Sequence, residues 1–319
     1  MSIISSDISK AVAILSNEDV IAIPTETVYG LAGNIFSEKA IKRIFEVKQR
    51  PLFNPLIVHL GSVEQIRDVV ADFPEKAQLL AKNFWPGPLT LILKKKDIVP
   101  DLITAGKDTV AVRIPNHPVT LELLQSLPFP IAAPSANPFN RISPTKSAHV
   151  AKYFEDAMPM ILEGGECQKG IESTIIGFED GEAVIYRFGS LALEEIEKVI
   201  GKIEVKNKKE QAPDAPGMLA KHYAPRTKTI LVKNIDETLK GIDNQSIGLL
   251  RFTGDYTSEK IKHAAILSKS GDLNEAAANL YSALHWLDQL SLDLIITERF
   301  PDHGLGKTIN DRLERASSS

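Results

Sequence analysis

From residue 20 to residue 189, short apolar runs alternate with stretches whose apolar residues recur at helical spacing. The runs are VIAIPT (20–25), PLIVHL (55–60), LTLILK (89–94), TVAVRIP (109–115), PIAAP (130–134), MPMILEG (158–164), STIIGFE (173–179) and AVIYRFG (183–189). The spacing between them predicts helices over 6–15, 37–48, 62–71, 74–84, 116–126, 146–154 and 192–200. Several runs are apolar without alternation, the pattern of strands covered on both faces. The first two hundred residues therefore read as an α/β unit around a large mixed sheet.

The pattern then breaks. GKIEVKNKKEQAPDAPGMLAKHYAPRTK (201–228) is lysine-rich at first and then carries prolines at 213, 216 and 225, with no periodicity. It is long for an idle connection. Beyond it TKTILVK, SIGLLRF, HAAILSKS and LDLIITERF alternate with helical patterns, notably 272–290. That is a smaller Rossmann-like α/β domain. The expected organisation is 1–202, a linker over 203–226, and 227–319.

A length of 319 residues exceeds what one core usually fills, which agrees with two domains. The 37 basic and 41 acidic residues give a net charge of −4, which argues against a chain coated in nucleic-acid-binding charge but leaves room for a local basic patch. No run of 18 apolar residues is present, so no membrane span is expected. The N-terminus lacks the basic region of a signal peptide. Cys167 is the single cysteine, so no intrachain disulfide can form, and the seven histidines never cluster with it at metal-ligand spacing. These features point to a reducing, cytoplasmic setting without a protein-held metal. Cys167 itself reads better as a small buried hydrophobe than as a nucleophile.

Polar residues that apolar packing does not explain gather at four places. IPTETVYGLAGN (23–34) puts Thr25, Glu26, Thr27 and Tyr29 after a strand, where α/β sheets bind ligands, although Thr25 capping a helix explains part of it. VKQRPLFNPLIVHL (47–60) sets Lys48 and Arg50 one residue apart. On extended backbone the two would face one way and suit a polyphosphate; a basic helix end is the other reading. TVAVRIP places Arg113 in an apolar strand with Thr109 on the same face, so Arg113 needs an anion, from a ligand or from a structural carboxylate. Finally PIAAPSANPFNRISPT (130–145) is a loop stiffened by proline yet loaded with Ser135, Asn137, Asn140, Arg141, Ser143 and Thr145. HGLGKT (303–308) is no P-loop, because Pro301 stands where the pattern needs glycine.

In order, IPTETVYGLAG, KQRP…NPLIVHL, FWPGPLTLIL, VAVRIPNH, APSAN, GIESTII and APGMLAKHYAP resemble the L-threonylcarbamoyladenylate synthase family in its two-domain form, over nearly the whole chain. The resemblance implies a YrdC-type twisted mixed sheet with flanking helices, joined by a long loop to a Rossmann-like domain. It implies a nucleotidyltransferase that joins L-threonine, bicarbonate and ATP, with Mg²⁺ accompanying the ATP, and releases pyrophosphate. A partner complex would then transfer the threonylcarbamoyl group to tRNA, and the family allows weak contact with tRNA. The family's catalytic tetrad falls on Lys48, Arg50, Ser135 and Asn137. Its ATP contacts fall on Arg50, Asn54, Thr109, Ser135, Ser143, Arg187 and Tyr223, and its threonine contacts on Thr27, His59, Arg113, Ala133 and Ser173. The linker departs from the family pattern at Ala215, Leu219, Ala220 and Lys221, while His222, Tyr223 and Pro225 remain. A non-catalytic RNA-binding module and a carbamoyl transferase with another acceptor are the competing readings, and the acidic balance weighs against the first.

Overall fold

The computed structural model describes residues 2–206, 222–243 and 245–318. Among them, eleven strands form one sheet: β1 (Ile3–Ser5), β2 (Ile21–Ile23), β3 (Gly30–Asn34), β4 (Ile57–His59), β5 (Leu89–Lys94), β6 (Thr109–Arg113), β7 (Ile131–Ala132), β8 (Met160–Leu162), β9 (Thr174–Glu179), β10 (Glu182–Arg187) and β11 (Glu204–Val205). Their spatial order is β1-β8-β2-β3-β7-β4-β6-β5-β9-β10-β11. The sheet is mixed: β4 runs parallel to β6, and β5 parallel to β9, while β3, β4 and β7 meet antiparallel. The unbroken apolar runs are buried on both faces, as their pattern implies. In β2, Ile21 and Ile23 join Leu15, Ile131 and Leu162 on one side, while Ala22 joins Leu31, Ile44 and Val58 on the other.

A second sheet comprises β12 (Thr229–Val232), β13 (Ile247–Arg251), β14 (Ile261–Ile266) and β15 (Leu294–Glu298), all parallel, in the order β12-β15-β13-β14. Helices Leu273–Leu287 and Leu305–Ala316 pack beside it. The expected architecture, a large mixed sheet and a smaller Rossmann-like unit, is the one observed. The two units share a core, in which Val28, Ile142 and Ile171 pack with Tyr223, Ala277, Leu280, Tyr281 and Leu284. Gly170 sits so close to the helix Leu273–Leu287 that a Cβ there would lie 2.2 Å from the Ala278 carbonyl oxygen.

Three details differ from the sequence reading. The stretch after β2 is not a helix start. Thr25 Oγ1 accepts from the backbone N–H groups of Thr27 and Val28, both at 3.1 Å, which closes a turn, and the chain continues into β3. The helix expected over 62–71 is only Ile66–Val69. The short strands β1 and β11 carry no periodicity long enough to signal them. Of the linker, residues 207–221 lie outside the described residues. Its end is pinned: Ala224 N–H donates to the Asn140 carbonyl at 2.9 Å, beside the loop that follows β7.

Candidate active site

Strand pairing brings the site together. In the parallel pair β4/β6, His59 lies opposite Arg113, and β7 delivers the loop beginning at Ala133 next to them. Gly30 permits this approach, because a Cβ there would meet the Ala133 Cβ at 3.1 Å. The resulting cleft is lined by Thr25, Thr27, His59, Arg113, Ala133 and Ser135, with Glu172, Ser173 and Arg187 completing the wall.

One half of the cleft is built around Arg113, which is 4% exposed. Its Nη1 donates to Thr27 Oγ1 at 3.0 Å and its Nη2 to Glu26 Oε1 at 2.6 Å. Of the two anions considered from sequence, the structural carboxylate is present, and it is Glu26. The other Glu26 oxygen, Oε2, is buried without a hydrogen-bond partner. His59 Nδ1 lies 3.2 Å from the Ile57 carbonyl, an arrangement in which Nδ1–H donates and Nε2 is left as an acceptor. Burial and the Arg113 charge pull its pKa down to about 3, so the ring is neutral. Ser173 Oγ shares a hydrogen bond of 2.8 Å with Thr90 Oγ1 and accepts from Arg187 Nη2 at 3.1 Å.

Next to Ser135 and Arg187 of this cleft lies a concentration of buried cations. Lys48 ends the helix Glu38–Lys48, and Gln49 turns in the left-handed region at φ 53°. The backbone is therefore not extended through Lys48, Gln49 and Arg50, and the same-side argument for Lys48 and Arg50 does not hold. Lys48 Nζ instead donates to the carbonyl oxygens of Ser135 and Asn137. Burial and the nearby Arg50 push its pKa well down. Arg50 donates to the carbonyls of Asn54 and Pro55 at 3.3 and 2.9 Å, and burial followed by Arg187 lowers it to about 9. Arg187 holds the Ser173 carbonyl at 2.8 Å. Asn54 is fully buried, yet among the described residues neither atom of its amide has a partner, and Asn137 Oδ1 and His222 Nδ1 are likewise buried and without one.

The remaining assignments fall as follows. Ser143 Oγ donates to Glu172 Oε1 at 2.5 Å. Tyr223, at φ 60° and 1% exposed, is packed between His222, Tyr281 and Arg312. Thr109 stands at the opposite end of β6 from Arg113, in a separate groove with Lys107, Asp108, Gly177 and Tyr186. Two residues of the site escaped the sequence reading. Glu172 sits inside the GIESTII motif without a role, and Arg312 arrives from the last helix with no local signal at all.

Known proteins share both domains of this chain. A family profile described as "Telomere recombination", covering Sua5, YciO and YrdC, matches residues 13–189, and one described as "Threonylcarbamoyl-AMP synthase, C-terminal domain" matches 191–318. The threonylcarbamoyl-AMP synthase of Pyrococcus abyssi is 42% identical over 93% of this chain and 90% of its own length. That of Bacillus subtilis is 40% identical over 97% and 92%. The crystal structure of P. abyssi Sua5 complexed with L-threonine superposes with a TM-score of 0.90 at 39% identity, covering 99% of this chain and 97% of that one. With both domains matched and the cleft formed by the family's own motifs, this chain belongs to the two-domain threonylcarbamoyl-AMP synthase family.

Proposed function

We propose that the protein makes L-threonylcarbamoyl-AMP from L-threonine, bicarbonate and MgATP, with release of pyrophosphate. One observation carries the reading: Lys48, Arg50 and Arg187 are buried beside one another, with Arg50 acting on Lys48 and Arg187 on Arg50, while the carboxylate beside Arg187, Glu172, is already engaged by Arg312. Such a cluster is costly without an anion and suited to a triphosphate. The orphaned amide of Asn54 offers a donor and an acceptor to the same ligand.

Threonine occupies the Arg113 half. Arg113 is held by Glu26 and Thr27 and directs its guanidinium to the amino-acid carboxylate, and Ser173 and Thr27 supply hydroxyl partners. The amine and bicarbonate condense to a carbamate with loss of water. A carbamate oxygen then attacks the α-phosphorus of ATP, the bond to the β-phosphate oxygen breaks, and pyrophosphate leaves with the electron pair. Every step rests on positioning and charge neutralisation, so no protein nucleophile is required. Ser135 and Asn137 form the wall across which the two substrates meet, with their backbone fixed by Lys48. Mg²⁺ enters as part of the MgATP substrate. The product is a reactive mixed anhydride, which we assign to a threonylcarbamoyl transferase acting on tRNA.

Calorimetric titration tests the two-subsite arrangement. MgATP and L-threonine should each bind, and each should still bind when the other is saturating. Competition between them, or tight binding of duplex RNA with no binding of either small molecule, would overturn it.

A further inference from the structure

The C-terminal domain reaches the cleft wall at Glu172. Arg312, on the helix Leu305–Ala316 and 1% exposed, donates from Nε to Glu172 Oε2 at 3.1 Å and from Nη2 to the Phe188 carbonyl at 2.7 Å. Its guanidinium lies 4.5 Å from the centre of the Tyr223 ring. Asp311 flanks it and is itself bridged to Arg315. Glu172 receives two further hydrogen bonds, from Ser143 Oγ at 2.5 Å and Tyr281 Oη at 2.9 Å. Burial works against the charged carboxyl, but Arg312 and then Arg187 outweigh it and keep Glu172 ionised.

Glu172 therefore presents a puzzle: it is a buried carboxylate lining a cleft that otherwise gathers cations. We infer that Arg312 is a positioning residue for the nucleotide, neutralising Glu172 so that it neither repels the triphosphate nor captures Arg187. The inference rests on the ATP reading above. It also gives the second domain a physical part in nucleotide binding. Remove Arg312, and Glu172 turns to the remaining cation that already acts on it, Arg187, while its uncompensated charge faces the incoming phosphates.

The arrangement has a signature that a merely structural contact lacks. If the harm done by losing Arg312 is the bare charge of Glu172, removing that charge should repair it. In the full chain, Arg312→Met should weaken MgATP binding about 10–100-fold, the scale of one uncompensated charge in a partly screened site. Binding of L-threonine should change less than binding of MgATP, since Arg113 and its partners Glu26 and Thr27 do not touch Arg312. Adding Glu172→Gln to Arg312→Met should return MgATP affinity to within a few-fold of Glu172→Gln alone. Arg312→Lys, which keeps the charge, should stay within a few-fold of wild type even if the methionine variant fails to fold. Unchanged MgATP binding in Arg312→Met overturns the inference. So does a double variant as weak as Arg312→Met, or an Arg312→Lys variant that loses MgATP. A wild-type chain that binds no MgATP would instead overturn the ATP reading beneath it.

Discussion

Lys48 Nζ donates to the carbonyl oxygens of Ser135 and Asn137, so the end of one helix fixes the shape of a loop 87 residues further on. The neighbouring Arg50 holds its own turn through Asn54 and Pro55. Both cations thus brace backbone beside the cleft. Lys48→Met should leave the Asn137 carbonyl unpaired, while the Ser135 carbonyl keeps the Asn137 N–H, and cost about 1–3 kcal/mol of stability along with activity. Arg50→Ala removes the donor to the buried Asn54 and Pro55 carbonyls and should also lower the urea midpoint, and the folded variant should release pyrophosphate roughly 10²–10³-fold more slowly. Urea midpoints measured beside turnover check both; an Arg50→Ala variant that turns over at the wild-type rate would contradict its part in the site.

Asn54 makes the opposite kind of prediction. Its amide is fully buried and has no hydrogen-bond partner among the described residues. Asn54→Ala should therefore leave stability unchanged or slightly raised, because an unsatisfied polar group is removed. The KM for MgATP should rise about tenfold, the worth of one hydrogen bond to a charged ligand. A destabilised variant with normal KM would show that the amide serves the fold.

Arg113 is fixed by Glu26 and Thr27 before any ligand arrives. Arg113→Lys keeps the charge but loses the planar fork, and should raise the KM for threonine about 10–100-fold while KM for MgATP stays near wild type. The hydroxyl partners Thr27 and Ser173 predict that 2-aminobutyrate, which lacks the hydroxyl, is rejected by as much as roughly 10⁴-fold. Serine, which loses only a methyl, should be used with a penalty of about tenfold. Equal use of 2-aminobutyrate and threonine would contradict the pocket.

Three buried histidines and the half-buried His149 set an acid limit. Burial is the leading cause in each case. It holds His59 and His149 down at about 3, His285 at about 4, and His222 well below its ordinary value. The unfolded chain takes up protons on these rings as pH falls through 6.5, while the native chain resists until near 4. Stability should be full above pH 6.5 and decline steeply between 6.5 and 4. His149 and His285 stack across the domain boundary with centroids 3.9 Å apart. Replacing both with glutamine should flatten the decline seen in urea midpoints at pH 7.5, 5.5 and 4.5; a decline of unchanged slope would contradict their part in it.

The residues that sequence could reveal were those whose neighbours in the chain carry the signal. Apolar runs marked β2, β4 and β9 because burial on both faces leaves no polar positions, and the proline-stiffened loop after β7 stood out because hydroxyls and amides there serve no packing need. Lys48 was visible as a site residue, but its direction was not, since a left-handed Gln49 reorients the chain after the helix. Arg113 announced that it needed an anion without saying that Glu26, 87 positions away, supplies one. Glu172 and Arg312 lay hidden for the same reason at greater distance, because their meaning appears only when two domains meet. The expected boundary near residue 202 also conceals how far Val28, Ile142 and Ile171 depend on apolar partners beyond the linker.

The central claim is that one cleft joins three small molecules. Isotopically labelled bicarbonate, supplied with MgATP and L-threonine, tests it most directly. The account predicts that the label enters an AMP-containing product one for one with pyrophosphate released, and that omitting threonine abolishes both. Pyrophosphate release that continues without threonine, or a threonine-dependent release that leaves the label in bicarbonate, would contradict it.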